Sequence, residues 1–244
     1  DLESDKVVIE QFLHGREASL IVATDGTRVV PLVSSHDYKR LCDGQVGPNT
    51  GGMGTVSPSN HITAAQEQWA IDNIIHPVLK EMRQRGTPFR GFLYAGLMIS
   101  DDGAVNVLEF NSRMGDPECQ SLMRRYEGDL GELLFALSGS ADSLPKLSWS
   151  AASVVCVVLA SEGYPENPVK GDEIFGMELA SSIPGVVIFH AGTTMAAGKF
   201  TTAGGRVLNV TATGSDVTEA RTRAYRAADM LQFRGVQFRR DIGM

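Results

Sequence analysis

Leu108-Glu-Phe-Asn-Ser-Arg-Met-Gly-Asp-Pro-Glu118 follows directly on a short strand-like run, Ala104-Val-Asn-Val107. Side chains of a strand alternate between its two faces. The alternation groups Glu109, Asn111 and Arg113 on one face and Leu108 and Phe110 on the other, where the apolar pair would anchor the strand from behind. A carboxylate and an amide oxygen are hard donors suited to Mg²⁺, which takes few protein ligands beside phosphates and water. A guanidinium next to them complements a phosphoryl group. The same residues also fit a half-buried strand with a polar solvent face.

Working outward, Gly91-Phe-Leu-Tyr-Ala-Gly-Leu-Met-Ile99 reads as the preceding strand, and Ser100-Asp-Asp-Gly103 as a hairpin turn ending in the Asp-Gly pair that favours positive φ. On the other side, Asp116-Pro117 reads as a helix start, with Asp as N-cap, Pro at the first helical position and Glu118 in the first turn. For Asp116 and Glu118 this capping role competes with a catalytic one.

Two earlier segments add to the pattern. Asp43-Gly-Gln-Val-Gly-Pro-Asn-Thr-Gly-Gly-Met-Gly54 is a glycine-rich loop able to bring backbone N–H groups close to a ligand. It is neither a dinucleotide fingerprint nor a Walker loop. Asp37-Tyr-Lys-Arg40 precedes it with two adjacent cations, which also fit a solvated surface pair. Near the start, a strand is expected from Lys6 into Glu10, then an apolar bend at Phe12-Leu13, then a second strand beginning near Glu17. Such a bend can present backbone groups to a purine edge and a carboxylate to ribose hydroxyls; an ordinary hairpin with exposed acids fits it too.

Together the three segments resemble the C-terminal part of the phosphoribosylamine–glycine ligase (glycinamide ribonucleotide synthetase) family of the ATP-grasp superfamily. The resemblance runs on through Gly163-Tyr-Pro165, Phe189-His-Ala-Gly-Thr193, Gly204-Gly-Arg-Val-Leu208 and Arg239-Arg-Asp-Ile-Gly243, over essentially the whole chain. It implies an α+β fold: the C-terminal half of an ATP-grasp domain, an antiparallel sheet with helices, followed by a smaller α+β domain. It implies that Glu10, Phe12 and Leu13 hold adenine and that Glu17 binds ribose. Glu109 and Asn111 would hold the Mg²⁺ or Mn²⁺ that bridges the phosphates of ATP, with Arg113 and Asp116 beside the transferred phosphoryl group. Asp37, Lys39, Arg40, Asn49, Thr50, Gly51, Gly52 and Met53 would form the site for 5-phosphoribosylamine and glycine. Another ATP-grasp purine ligase with a different acceptor, or an inert nucleotide-binding fragment, are the alternatives.

Many ATP-grasp enzymes carry a second acidic metal ligand on the preceding strand; Tyr94–Ile99 has none, which leaves Glu109 and Asn111 with phosphates and water. Against the family, the opening at Asp1 reads as a mid-domain start, lacking an N-terminal part with its phosphate-binding lysine. The resemblance further implies a cytoplasmic monomer.

Composition fits. The chain has 244 residues, 43% hydrophobic, with a net charge of −7 and no broad basic stripe, which argues against nucleic acid as partner. No long apolar run points to a membrane. Cys42, Cys119 and Cys156 form neither a disulfide framework nor a zinc pattern, as in a reducing cytosol, and Cys156 reads as core.

Thr63-Ala-Ala-Gln66 reads as a capping box opening a helix to about Arg85, buried through Trp69, Ile71, Ile74, Ile75, Val78, Leu79 and Met82 and kinked at Pro77. Further helices are expected over 117–126 and 129–137. Ser138-Gly-Ser-Ala-Asp-Ser-Leu-Pro145 is the boundary candidate, dividing residues 1–144 from 145–244. Beyond it, strands are expected over 153–160, 185–190, 199–202 and 206–213, and an Asp216-capped helix to about Leu231, with His190 as a structural histidine.

Overall fold

The computed structural model describes residues 7–244. Its strands are β1 (Arg16–Thr24), β2 (Val29–Pro31), β3 (His36–Asp37), β4 (Arg40–Cys42), β5 (Val46–Asn49), β6 (Gly54–Ser57), β7 (Gly91–Ile99), β8 (Val105–Asn111), β9 (Ser153–Ala160), β10 (Val186–His190), β11 (Thr193–Ala196), β12 (Lys199–Thr202) and β13 (Arg206–Gly214). Its α-helices are α1 (Ala64–Ala70), α2 (His76–Gln84), α3 (Glu118–Met123), α4 (Leu130–Phe135), α5 (Met177–Ser181) and α6 (Val217–Ala228). Every strand pairing among them is antiparallel, as expected of the α+β class.

The first sheet has the order β2-β1-β7-β8. Its central strand β1 is apolar on both faces because both are covered. Ala18, Leu20 and Val22 pack with Ile71, Ile75 and Leu79 of the helical layer; Ile21 and Ala23 pack with Tyr94, Leu122, Leu133 and Leu137. The helical layer opens with the Thr63–Gln66 capping box. The expected kink takes the form of a π-helical turn over Ile71–Ile75 between α1 and α2. Proline lacks the N–H that would close the α-ladder, and a wider turn just before Pro77 absorbs that loss. Trp69 departs from the expected buried stripe and is exposed.

The second sheet has the order β10-β13-β9-β6-β3, so strands from both sides of residues 144/145 share it. β9 is buried along its whole length, Cys156 included. α6 lies on it through Ala220, Ala224 and Ala227, whose small side chains let helix and sheet approach closely. Asp216 caps this helix by accepting from Glu219 N. His190 Nδ1 bonds Thr193 Oγ1, the structural role expected of it.

Several expectations require correction. Residues 7–14 form no strand; Val7, Val8 and Ile9 are exposed, and no described strand pairs with them, while Lys6 lies outside the described residues. The glycine-rich segment is not wholly a loop, since β5 pairs with β4 as an exposed hairpin and β6 enters the second sheet. Asp116 does not cap α3: no side-chain cap bond forms there, and Arg206 and Gln120 take its carboxylate instead. α3 ends at Met123, and α4 passes into a π-helical turn over Ala136–Ser140. Leu108 and Phe110 are not a covered pair, being 36% and 42% exposed on the open edge strand β8.

Candidate functional site

The junction of the two sheets gathers the polar side chains. Ser19 N donates to Ser35 O, so the chain crosses here from the first sheet to the second and delivers Asp37 and Lys39 to the seam. α3 is wedged alongside. Its Leu122 packs under the first sheet, while Ser121 Oγ lies 2.6 Å from Thr55 Oγ1 of the second.

The β7–β8 ladder fixes one wall. Gly96 stands opposite Glu109, Tyr94 opposite Asn111, and Val107 opposite Leu97, which leaves Leu108 as the extra residue of a β-bulge. The bulge resets the alternation. Val105 and Val107 keep to the helix-bearing face with Ile99 and Leu97, whereas Glu109 and Asn111 share the opposite face with Gly96 and Tyr94. A Cβ at position 96 would lie 3.1 Å from Glu109 Cγ, so glycine there gives the carboxylate its room.

Lys39 spans the seam. Its Nζ lies 3.1 Å from Glu17 Oε2 and 3.6 Å from Glu109 Oε1. Burial opposes its charge, but Glu17, followed by Glu109 and Asp37, holds the ammonium above the usual lysine range. Arg40 turns away and donates to Gly47 O. Asp37 Oδ1 is buried without a hydrogen-bond partner among the described residues. Burial, then the neighbouring Glu118 carboxylate, pushes the Asp37 carboxyl well above its ordinary range. Glu118 is 2% exposed and accepts from Ser19 Oγ at 2.8 Å, and Ser19 Oγ lies 3.1 Å from Tyr94 Oη. Burial and then Glu118 raise the Tyr94 phenol.

A histidine stack supports Glu17 from behind. His61 Nδ1 donates to Glu17 O at 2.7 Å, and its ring stacks on His36 at 3.8 Å between centroids. Burial, then His61, lowers His36 to about 3.

The glycine-rich segment is pinned by local bonds and by the second sheet. Thr50 N and Oγ1 both donate to Lys39 O, Gly52 N donates to Thr50 Oγ1, and Met53 N donates to Tyr38 O. Gly52 has φ +113°, and a Cβ there would meet Pro117 Cδ at 2.6 Å and Asp37 Oδ1 at 2.7 Å, so this close approach requires glycine.

The residues singled out from sequence thus separate into groups. Glu17, Asp37, Lys39, Glu109 and Asn111 converge on the seam, with Thr50, Gly51, Gly52 and Met53 over it. Asn49 and Arg40 lie on the exposed β4–β5 hairpin. Arg113 is exposed and donates to Met114 O. Glu10 and Phe12 are exposed and Leu13 half-buried, outside any strand. Sequence reasoning missed Ser19, Tyr94, His61 and Gly96; Gly96 carries a signal, a glycine inside an apolar strand, which marks a close approach.

The residues present suit a divalent ion. Glu109 and Asn111 offer two hard oxygens on one strand face, the carboxylate in space cleared by Gly96. Among the described residues no three His, Cys, Asp or Glu side chains cluster as a metal cage, and no helix is long and apolar enough to cross a membrane.

The family model described as phosphoribosylglycinamide synthetase, ATP-grasp (A) domain, matches residues 3–119, and the C domain of the same family matches residues 154–244. The phosphoribosylamine–glycine ligase of Pseudomonas aeruginosa is 46% identical over 238 residues, covering 98% of this chain and 55% of that protein. The chloroplastic phosphoribosylamine–glycine ligase of Arabidopsis thaliana is 47% identical over 241 residues, covering 98% of this chain and 45% of that protein. The crystal structure of phosphoribosylamine–glycine ligase from Thermotoga maritima superposes with a TM-score of 0.82 at 38% identity, over 96% of this chain and 57% of that one. The chain spans about half the length of the curated relatives it matches.

Proposed function

The chain belongs to the phosphoribosylglycinamide synthetase family, and on that premise we propose that it carries the metal-holding and acceptor-binding part of an ATP-dependent ligase. The reaction joins 5-phosphoribosylamine and glycine to give glycinamide ribonucleotide, ADP and phosphate in purine biosynthesis. The glycine carboxylate attacks the γ-phosphate of ATP to form glycyl phosphate and ADP. The amine of phosphoribosylamine then attacks the acyl carbon and displaces phosphate. The remaining length of the relatives would supply the other lobe, including an inner-phosphate lysine.

The observation that carries this reading is the shared face of Glu109 and Asn111, cleared by Gly96 and met by Lys39. A hard-oxygen pair of this kind would hold Mg²⁺ or Mn²⁺, which neutralises phosphate charge when bound. Transfer of a phosphoryl group needs charge stabilisation and alignment more than a covalent nucleophile. Lys39 keeps its proton and offers a fixed cation beside Glu17, the proposed ribose ligand. Among the described residues Arg113 bonds only a neighbouring carbonyl, which lets it turn toward a phosphoryl group. Asp116 acts by holding its loop, its carboxylate being taken by Arg206 and Gln120. Glu10, Phe12 and Leu13 are assigned to adenine, and Asp37, Arg40 and the segment Asn49–Met53 to the acceptor and glycine. Three free cysteines suit a reducing compartment such as the cytosol.

The test is ADP release by the full-length protein with ATP and Mg²⁺, with mass detection of the product. Release that requires both glycine and 5-phosphoribosylamine is expected. Release driven equally by bicarbonate or formate, and indifferent to glycine, would overturn the assignment.

A further inference from the structure

Two motifs flanking strands of the second sheet remain unexplained by the site chemistry: Gly163-Tyr-Pro165 in the turn after β9 and Gly204-Gly-Arg206 leading into β13. Both reach the same residue of the glycine-rich segment, Gly51. Gly51 N donates to Tyr164 Oη at 3.0 Å, and Gly51 O accepts from Arg206 Nη1 at 2.5 Å. The same Nη1 donates to Asp116 O at 2.6 Å, and Nη2 meets Asp116 Oδ2 at 2.9 Å. One guanidinium at the start of β13 therefore bonds two segments that are 65 residues apart in sequence, one before α1 and one at the foot of α3. Guanidinium geometry suits this task, since its donors form a rigid planar fork that cannot satisfy one segment while the other drifts.

The glycines around it serve the same contact. A Cβ at Gly51 would lie 3.0 Å from Arg206 Cζ, so glycine lets the backbone come close to the guanidinium. A Cβ at Gly205 would lie 2.3 Å from Tyr164 Cδ2, so only glycine lets the tyrosine ring reach its bonding position. The Arg206 side chain is 20% exposed and that of Asp116 46%, so the hold comes from the number and geometry of these bonds and not from their burial.

We propose that Arg206, assisted by Tyr164, is a positioning residue that holds the acceptor segment Asn49–Met53 at a fixed distance from the Asp116–Glu118 turn. It does not touch the reacting atoms. This inference rests on the ligase reading for the identity of the substrates, though not for the contact itself. Releasing the segment removes interactions made equally in the ground and transition states, so KM for the acceptor rises first.

The experiment uses the full-length protein with Arg206→Met, Arg206→Lys and Tyr164→Phe. Arg206→Met should raise KM for 5-phosphoribosylamine or glycine at least tenfold, with KM for ATP changed less than twofold. Arg206→Lys should recover part of that loss, and Tyr164→Phe should move the same KM in the same direction by a smaller factor. Hydrogen exchange read alongside should quicken at 51–53 and 116–118 and stay unchanged in β9 and β13. A wild-type protein without glycine-dependent turnover refutes the ligase reading but leaves the exchange test intact. Unchanged exchange at both segments, or a lowered melting temperature with every KM unaltered, overturns the positioning role. Should Arg206→Met fail to fold, Arg206→Lys and Tyr164→Phe decide alone.

Discussion

Lys39 Nζ sits 3.1 Å from Glu17 Oε2, while its own backbone carbonyl accepts from Thr50 of the glycine-rich segment. Its neighbour Arg40 points elsewhere, to Gly47 O. Adjacent residues of an extended chain face opposite ways, so the two cations cannot serve one phosphate together. Lys39→Met should therefore raise KM for ATP several-fold, whereas Arg40→Met should leave it within twofold and act, if at all, on the acceptor. Steady-state kinetics of both variants in the full-length protein decide this; the reverse pattern would sink the placement of Lys39 at the nucleotide side.

Gly96 offers a test of the proposed metal face that leaves Glu109 and Asn111 unchanged. An added methyl at 3.1 Å from Glu109 Cγ must displace that side chain by a few tenths of an ångström. A divalent ion held by Glu109 would be bound less well by a displaced carboxylate. Gly96→Ala should raise the metal concentration needed for half-maximal activity by about tenfold, in line with the loss seen on disturbing groups that orient a ligand. Glu109→Gln should abolish turnover. The Glu109 side chain is half exposed at a sheet edge, so its loss should shift stability by no more than about 0.5 kcal/mol, as for other surface changes. Circular dichroism and urea melts check the fold, and near-normal turnover of Glu109→Gln at saturating metal would refute the assignment.

How much of this was legible in the sequence depends on whether a residue's partner lies nearby in the chain. The Thr63 and Asp216 caps, the Asp102-Gly103 turn and the buried run at Cys156 rest on local pattern, and each formed as expected. The pairing of Glu109 with Asn111 on one face was legible for the same reason. The bulge at Leu108 was not, because a register shift is a property of two strands. Asp116 looked like a cap because Asp-Pro is a local signal; Arg206, 90 residues on, outcompetes the helix for it. Residues 7–10 have strand composition, but a strand needs a ladder, and no described strand supplies one.

The His36–His61 stack predicts a pH dependence of stability. Burial lowers His36 to about 3 from the ordinary histidine value of 6.5, so between those values the unfolded chain binds a proton that the folded chain refuses. Stability is then full above pH 6.5 and falls as the pH drops toward 3, by up to about 1.4 kcal/mol per pH unit from this one group. His61, also lowered by burial, adds to the same trend. Asp37 works the other way, since its raised folded value favours the folded state in acid. Comparing urea melts of wild type and His36→Gln between pH 7.5 and 5 isolates the histidine. The variant should show the shallower slope; equal slopes would remove His36 as the source.

The C-terminal residues grip the exposed hairpin, and that grip has a measurable stability. The Arg239 side chain has no exposed surface. Its Nε and Nη2 meet both carboxylate oxygens of Asp241, and its Nη1 donates to Arg40 O and Gln45 Oε1. Asp241 Oδ2 in turn accepts from Gly44 N, and Asp43 Oδ1 from Arg240 N. Gln45 has φ +60°, an uncommon backbone state for a residue other than glycine, and it is held at that turn by Arg239. Removing one partner of a buried ion pair leaves the other charge without compensation and costs about 3–5 kcal/mol. Arg239→Met should fall at the lower end of that range, because the Asp241 side chain is 21% exposed and water can reach it. Urea unfolding at pH 7 should show a lower midpoint with little change in slope. The freed hairpin should also become the first site of limited proteolysis, between Arg40 and Asn49. A variant as stable as wild type, with the hairpin equally resistant, would mean that the tail lies against the hairpin without holding it.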